Sequence, residues 1–120
     1  QKAYAKVGGM VGYATAALSI ENCSNTADFI TSQNNNTQAA AFGGIVGQFE
    51  ASATITIRNC TNSGDLVNTG TSSTTTYQRH HGGIIGYMKN FTTATIDSNV
   101  NSGRIANNMG NNGGIIEGKY

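Results

Sequence analysis

The sequence predicts an all-β chain: a right-handed parallel β-helix, or β-solenoid, of about three coils with three short strands per coil. Three observations predict it. One glycine-anchored block recurs along the chain, which is the signature of a repeat architecture. The block after it alternates apolar and polar residues with period two, as a half-buried strand does. The composition, with 16 Gly, abundant Asn and Thr and almost no Leu, disfavours helices and favours strands and turns. Hydrophobic residues reach 38% and fall in short, regular clusters, which argues against intrinsic disorder.

The first element, block A, reads Gly8-Gly9-Met10-Val11-Gly12, Gly43-Gly44-Ile45-Val46-Gly47 and Gly82-Gly83-Ile84-Ile85-Gly86. A fourth start, Gly113-Gly114-Ile115-Ile116, has Glu117 in place of the closing glycine. Successive starts lie 35, 39 and 31 residues apart. Block B is Leu18-Ser19-Ile20-Glu21-Asn22-Cys23-Ser24-Asn25, then Ile55-Thr56-Ile57-Arg58-Asn59-Cys60-Thr61-Asn62, then Ala94-Thr95-Ile96-Asp97-Ser98-Asn99-Val100-Asn101. Block C is Ser63-Gly64-Asp65-Leu66-Val67 and Ser102-Gly103-Arg104-Ile105-Ala106, with Thr26-Ala27-Asp28-Phe29-Ile30 as a weaker first version. Each block is too short for a helix, so each is assigned one strand. Residues 33–41, 70–81 and 107–112 are assigned to loops. The whole chain, 1–120, is one domain, with repeats at approximately 7–41, 42–80 and 81–112 and a partial fourth coil at 113–120.

A single repeat cannot bury its own apolar face. Stacking A on A, B on B and C on C, at about 4.8 Å per layer, gives one continuous core and pairs the backbone of each coil with the next. Gly8, Gly9, Gly43, Gly44, Gly82, Gly83, Gly113 and Gly114 are expected at coil corners, in backbone conformations that side chains forbid.

Gly43-Gly44-Ile45-Val46-Gly47, followed by Ile57-Arg58-Asn59-Cys60-Thr61-Asn62-Ser63-Gly64-Asp65-Leu66, resembles the GLUG-type glycine-rich repeat. The resemblance covers nearly the whole chain. It implies a β-solenoid in an extracellular or cell-surface protein of the adhesin-like kind, and it carries no catalytic residues. Copy three departs from the pattern at Ser98 and Asn99, where the others have Asn and Cys.

Several residues invite a chemical reading. Cys23 and Cys60 share one repeat position, so stacking would bring them within disulfide range or leave them as two thiols in a side-chain stack. Asn25, Asn62 and Asn101 are equivalent in all three copies and are expected to form a hydrogen-bonded asparagine ladder. Asn-X-Ser/Thr sequons stand at Asn22, Asn35, Asn59 and Asn90. Asn35 and Asn90 lie in spacers and are the better glycan acceptors, whereas Asn22 and Asn59 sit at strand ends. His80 and His81 adjoin Arg79 in what reads as a polar loop, with no further ligand spaced to complete a metal site. The acids Glu21, Asp28, Glu50, Asp65, Asp97 and Glu117 fall on different blocks, apart from the loosely aligned Asp28 and Asp65, so no acid–base pair is gathered. Thr54 and Thr56 align with Thr93 and Thr95 on the outer side of block B, the ordinary place for exposed β-branched residues.

Seven Lys and Arg scattered among six acids make no basic stripe for nucleic acid, and no apolar run is long enough to enter a membrane. No catalytic set, metal site or cofactor is expected. The reading that follows is a non-catalytic structural or adhesive repeat module, extracellular or on the cell surface. It stacks head to tail on itself, as a fibre subunit would, or on other surface repeats; the rival reading is a piece cut from a longer repeat array. The alternative is a carbohydrate-binding module in which Tyr13, Tyr77 or Tyr87 stack on glycans; an enzyme fragment is the third reading.

Overall fold

The computed structural model describes residues 5–32, 40–70, 79–107 and 111–119. The first copy contributes β1 (Ala5–Gly8), β2 (Val11–Ala14), β3 (Leu18–Glu21), β4 (Ser24–Asn25) and β5 (Phe29–Thr31). The second contributes β6 (Ala40–Gly43), β7 (Val46–Glu50), β8 (Thr54–Arg58), β9 (Thr61–Asn62) and β10 (Leu66–Asn68). The third contributes β11 (Arg79–Gly82), β12 (Ile85–Lys89), β13 (Thr93–Asp97), β14 (Val100–Asn101) and β15 (Ile105–Asn107), and β16 (Asn111–Gly113) and β17 (Ile116–Lys119) follow. There is no helix among the described residues.

These strands form five parallel sheets, in the orders β1-β6-β11-β16, β2-β7-β12-β17, β3-β8-β13, β4-β9-β14 and β5-β10-β15. Equivalent positions pair. Leu18, Ile55 and Ala94 share one row, Ile20, Ile57 and Ile96 the next, and Phe29, Leu66 and Ile105 a third. The block alignment read from the sequence is thus the register of the sheets.

Each copy holds five strands where three were expected, and the spacers are shorter than assigned. Block A is broken by a bend at its second glycine and the next residue, and a strand precedes that bend as well as follows it. Residues 40, 41, 79–81, 107, 111 and 112, assigned to loops, therefore lie in strands. Block B is broken where Asn22, Asn59 and Ser98 turn left-handed, with φ of 55°, 51° and 53°. Asn tolerates that region best among residues with a side chain.

The glycines work differently from expectation. None of the described glycines has positive φ. They are needed for space. A Cβ on Gly43 would overlap the Val46 carbonyl oxygen, and one on Gly44 would overlap the Gly83 carbonyl and the side chain of Asn62. Along the middle of the second sheet, a Cβ on Gly47 would come within 2.7 Å of the Val7 nitrogen and oxygen, and one on Gly86 within 2.7 Å of the same atoms of Phe42. The sheets of β1 and β2 therefore converge on the glycine bend like the arms of a V, whose apex faces the Asn25–Asn62–Asn101 row.

Two cores result. One lies between the β2 and β3 sheets and holds Ile45, Val46, Phe49, Ile55, Ile57, Ile84, Ile85 and Met88, each fully buried. The other lies between the β1 and β5 sheets around Ala40, Phe42 and Leu66. Each large apolar side chain contributes about 1.5–3 kcal/mol by leaving water. The alternation in block B places Ile55 and Ile57 inside and Thr54 and Arg58 outside.

Candidate functional site

The repeated polar residues are mostly taken up in joining copies. Asn25 Nδ2 donates to Asn62 Oδ1 at 2.7 Å, and Asn62 Nδ2 donates to Asn101 Oδ1 at 2.8 Å. Each amide also donates to the carbonyl two residues on: Ala27 at 3.1 Å, Gly64 at 2.9 Å and Gly103 at 3.0 Å. Asp28 Oδ1 accepts from the Asp65 backbone N–H at 2.8 Å, and Asp65 Oδ1 accepts from the Arg104 N–H at 2.8 Å. These two carboxylates cap the neighbouring copy and are not poised for acid–base work.

Cys23 and Cys60 are free thiols. The two thiols stand as neighbours in the stack without a bond between them, each turned toward the carbonyl two residues back. Cys23 Sγ donates to Glu21 O at 3.2 Å and Cys60 Sγ to Arg58 O at 3.1 Å. Burial pushes the Cys60 thiol pKa up. Asn99 explains why copy three can depart from the pattern. Its Nδ2 donates to Ile57 O at 2.8 Å, the carbonyl equivalent to the Ile20 O that Cys60 Sγ approaches at 3.6 Å.

Among the sequons, Asn22, Asn59 and Asn90 are exposed, and all three have positive φ. Asn59 Nδ2 donates to Asn22 Oδ1 at 3.3 Å. Asn35 and Tyr77 lie outside the described residues, as does the side chain of Glu117. Thr54 pairs Thr93, and Ser19, Thr56 and Thr95 make one row on the outer face of the third sheet.

His80 and His81 occupy strand β11 and are buried, not part of a polar loop. Successive strand residues face opposite ways. His81 enters the second core and stacks on Phe42 with ring centroids 4.7 Å apart. His80 enters the V and stacks on Tyr87 at 4.5 Å. Burial lowers its pKa below the ordinary imidazole value. Among the described residues, no three His, Cys, Asp or Glu side chains converge as a metal site would require.

The mouth of the V gathers the remaining polar chemistry. Tyr13, Gln48 and Tyr87 form one row of the β2-β7-β12 sheet, and Lys6, Ala41 and His80 form the facing row of the β1-β6-β11 sheet. Lys6 Nζ sits 3.8 Å from the centre of the Tyr13 ring. Tyr13 Oη donates to Glu50 Oε2 at 3.4 Å, Gln48 Nε2 donates to the same oxygen at 2.9 Å, and Lys89 Nζ lies 3.6 Å from Glu50 Oε1. Desolvation, and then the charge of Glu50 and its hydrogen bond, raise the Tyr13 pKa. The row Tyr13–Gln48–Tyr87 is legible in the repeat alignment. The facing row is not, because Lys6, Ala41 and His80 share no residue type. The arrangement offers aromatic surface, an amide and a carboxylate side by side, which suits recognition of a polar ligand with apolar faces.

Comparison with models of known protein families, with curated proteins and with solved structures finds no match.

Proposed function

We propose that the chain is a non-catalytic structural or adhesive repeat module, its five sheets being the faces of one parallel β-helix. The observation that carries this reading is the in-register ladder of Asn25, Asn62 and Asn101, joined copy to copy by side-chain amides. It is supported by the parallel pairing of every block with its own equivalents and by polar groups used up in bonding neighbouring copies. Such a body is stiff along its axis and grows by whole copies. The extracellular or cell-surface placement follows from the GLUG-type resemblance of the motif residues.

The reading includes head-to-tail self-association. Among the described residues, β13, β14 and β15 each pair on one side only, while the first two sheets extend one strand further. The step leaves a hollow of about 270 Å³ lined by Met88, Ala94, Ile96 and Ile116. At the opposite end a hollow of about 440 Å³ is lined by Ala5, Val7, Phe29 and Phe42 among others. Open strand edges over apolar hollows are templates for added strands, of a further repeat in the same chain or of a second copy of it.

Inserting two extra copies of residues 42–80 tests the helix. The long dimension by small-angle scattering should grow by about 10 Å, two layers of strand spacing, and the melting temperature should rise. Unchanged length, or a lower melting temperature, refutes the stacking. Light scattering and electron microscopy test assembly: filaments or concentration-dependent growth are expected, and a monodisperse monomer at high concentration removes the fibre part of the reading.

A further inference from the structure

We infer that the mouth of the V is a binding site for a neutral, β-linked oligosaccharide lying along the stack of strands, across Tyr13, Gln48 and Tyr87. The inference rests on this row and its partners, and it holds whether or not copies assemble.

Spacing is the first argument. Tyr13 and Tyr87 flank Gln48 in one parallel row, so they stand two strand spacings apart, about 9.6 Å. Pyranoses of an extended β-linked chain advance by about one such spacing each. Three consecutive sugars would therefore meet a tyrosine, then the Gln48 amide with the Glu50 carboxylate, then a tyrosine. Aromatic rings take the apolar face of a pyranose, and the amide and carboxylate take its hydroxyls.

Preorganisation is the second. Tyr13 is fixed by Lys6 on its ring and by Glu50 at its hydroxyl, and Tyr87 is fixed by the stacked ring of His80. Gln48 is held by Glu50. A ligand would meet side chains that have already lost their rotamer freedom, which removes an ordering cost from binding. Tyr13 is nonetheless 43% exposed, and Gln48 and Tyr87 are part-exposed.

Charge is the third and selects a neutral ligand. Glu50 is matched by Lys89, and Lys6 is engaged with the Tyr13 ring. Among the described residues the row therefore leaves no free carboxylate for a basic glycan, and its one net charge, that of Lys6, lies against a tyrosine ring and not beside the Gln48 amide that would meet the sugar hydroxyls.

The experiment is calorimetric titration of the full chain with cellohexaose, cellotriose and cellobiose, with chitohexaose and xylohexaose in parallel. At least one hexaose should bind, its trisaccharide nearly as well, and its disaccharide about tenfold more weakly, because two sugars cannot reach both tyrosines. Tyr13→Ala and Tyr87→Ala should each weaken binding about tenfold, the effect of losing one aromatic anchor. Thr56→Ala, on the far sheet, should bind as the parent does. Should either tyrosine variant fail to fold by circular dichroism, Gln48→Ala, which leaves both rings in place, should weaken binding several-fold at an unchanged melting temperature. The inference is overturned if no hexaose binds, or if the tyrosine and Gln48 variants bind like the parent. Either of these leaves the repeat-module reading intact.

Discussion

Replacing Asn62 by alanine removes the middle rung of the asparagine ladder, and its cost can be worked from the neighbours left behind. Asn62 is 1% exposed. Its amide takes part in three hydrogen bonds, to Asn25, Asn101 and Gly64. Each is worth about 1 kcal/mol net, and each buried partner left unsatisfied costs about 1–3 kcal/mol. Truncation orphans Asn101 Oδ1, one Asn25 amide proton and the buried Gly64 carbonyl. Part of this is relieved by water in the space vacated, so a loss of about 3–5 kcal/mol is expected. Asn25→Ala also removes three bonds, but two of them go to Ala27, which is exposed and can turn to water. Only Asn62 Oδ1 is then orphaned, and about 1–2 kcal/mol should be lost. Asn62→Asp keeps the shape yet points a carboxylate oxygen at Asn101 Oδ1 and Gly64 O, where an amide had donated; it should be at least as damaging as alanine at neutral pH and should recover as the acid protonates. Urea unfolding at pH 7, with the slope checked for constancy, measures all three. The reasoning fails if Asn62→Ala costs no more than Asn25→Ala.

Two further predictions follow from the glycine bend and from the V. Gly44→Ala should prevent folding or lower stability by more than about 3 kcal/mol, whereas Gly114→Ala, at the same motif position but with nothing within 4 Å of its Cβ, should leave the thermal melt unchanged. The pH dependence comes from His80, whose folded pKa burial lowers below the ordinary 6.5. The unfolded chain then binds a proton that the folded one refuses, so this contribution is fully present above about pH 6.5 and is lost as pH falls from there to the lowered folded value. His80→Gln should flatten stability measured by denaturant titration across that window, and an unchanged slope contradicts the assignment.

Much of the fold was legible because block B repeats both its alternation and its corner. Leu18, Ile55 and Ala94 align in sequence and pair in the sheet. What escaped the sequence had no repeated residue type to mark it. Val7, Phe42 and His81 pair as one row of the first sheet, yet they are an aliphatic, an aromatic and an imidazole side chain. Only backbone pairing makes that row a strand, and His80-His81 reads as a loop until β6 and β16 are seen on either side of it. The glycines were recognised as indispensable for the wrong reason: a demand for close approach and a demand for positive φ leave the same letter in the sequence. The site at the V was half legible, since Tyr13 and Tyr87 recur at one position while the residues that hold them do not.

The glycine seam has a consequence for how the molecule tolerates change. Because Gly47 and Gly86 bring the backbones of the first two sheets together, no side chain crosses from one core to the other there. The wall between the two cores is bare main chain there, built alike at Gly12, Gly47 and Gly86 whatever the side chains around them. A substitution at Phe42 or Leu66 and one at Ile57 or Met88 therefore strain different compartments, although all lie in neighbouring copies. Two apolar interiors can thus drift in composition separately, each answerable only to its own walls, while the partition stays fixed by residues that have no side chain to vary.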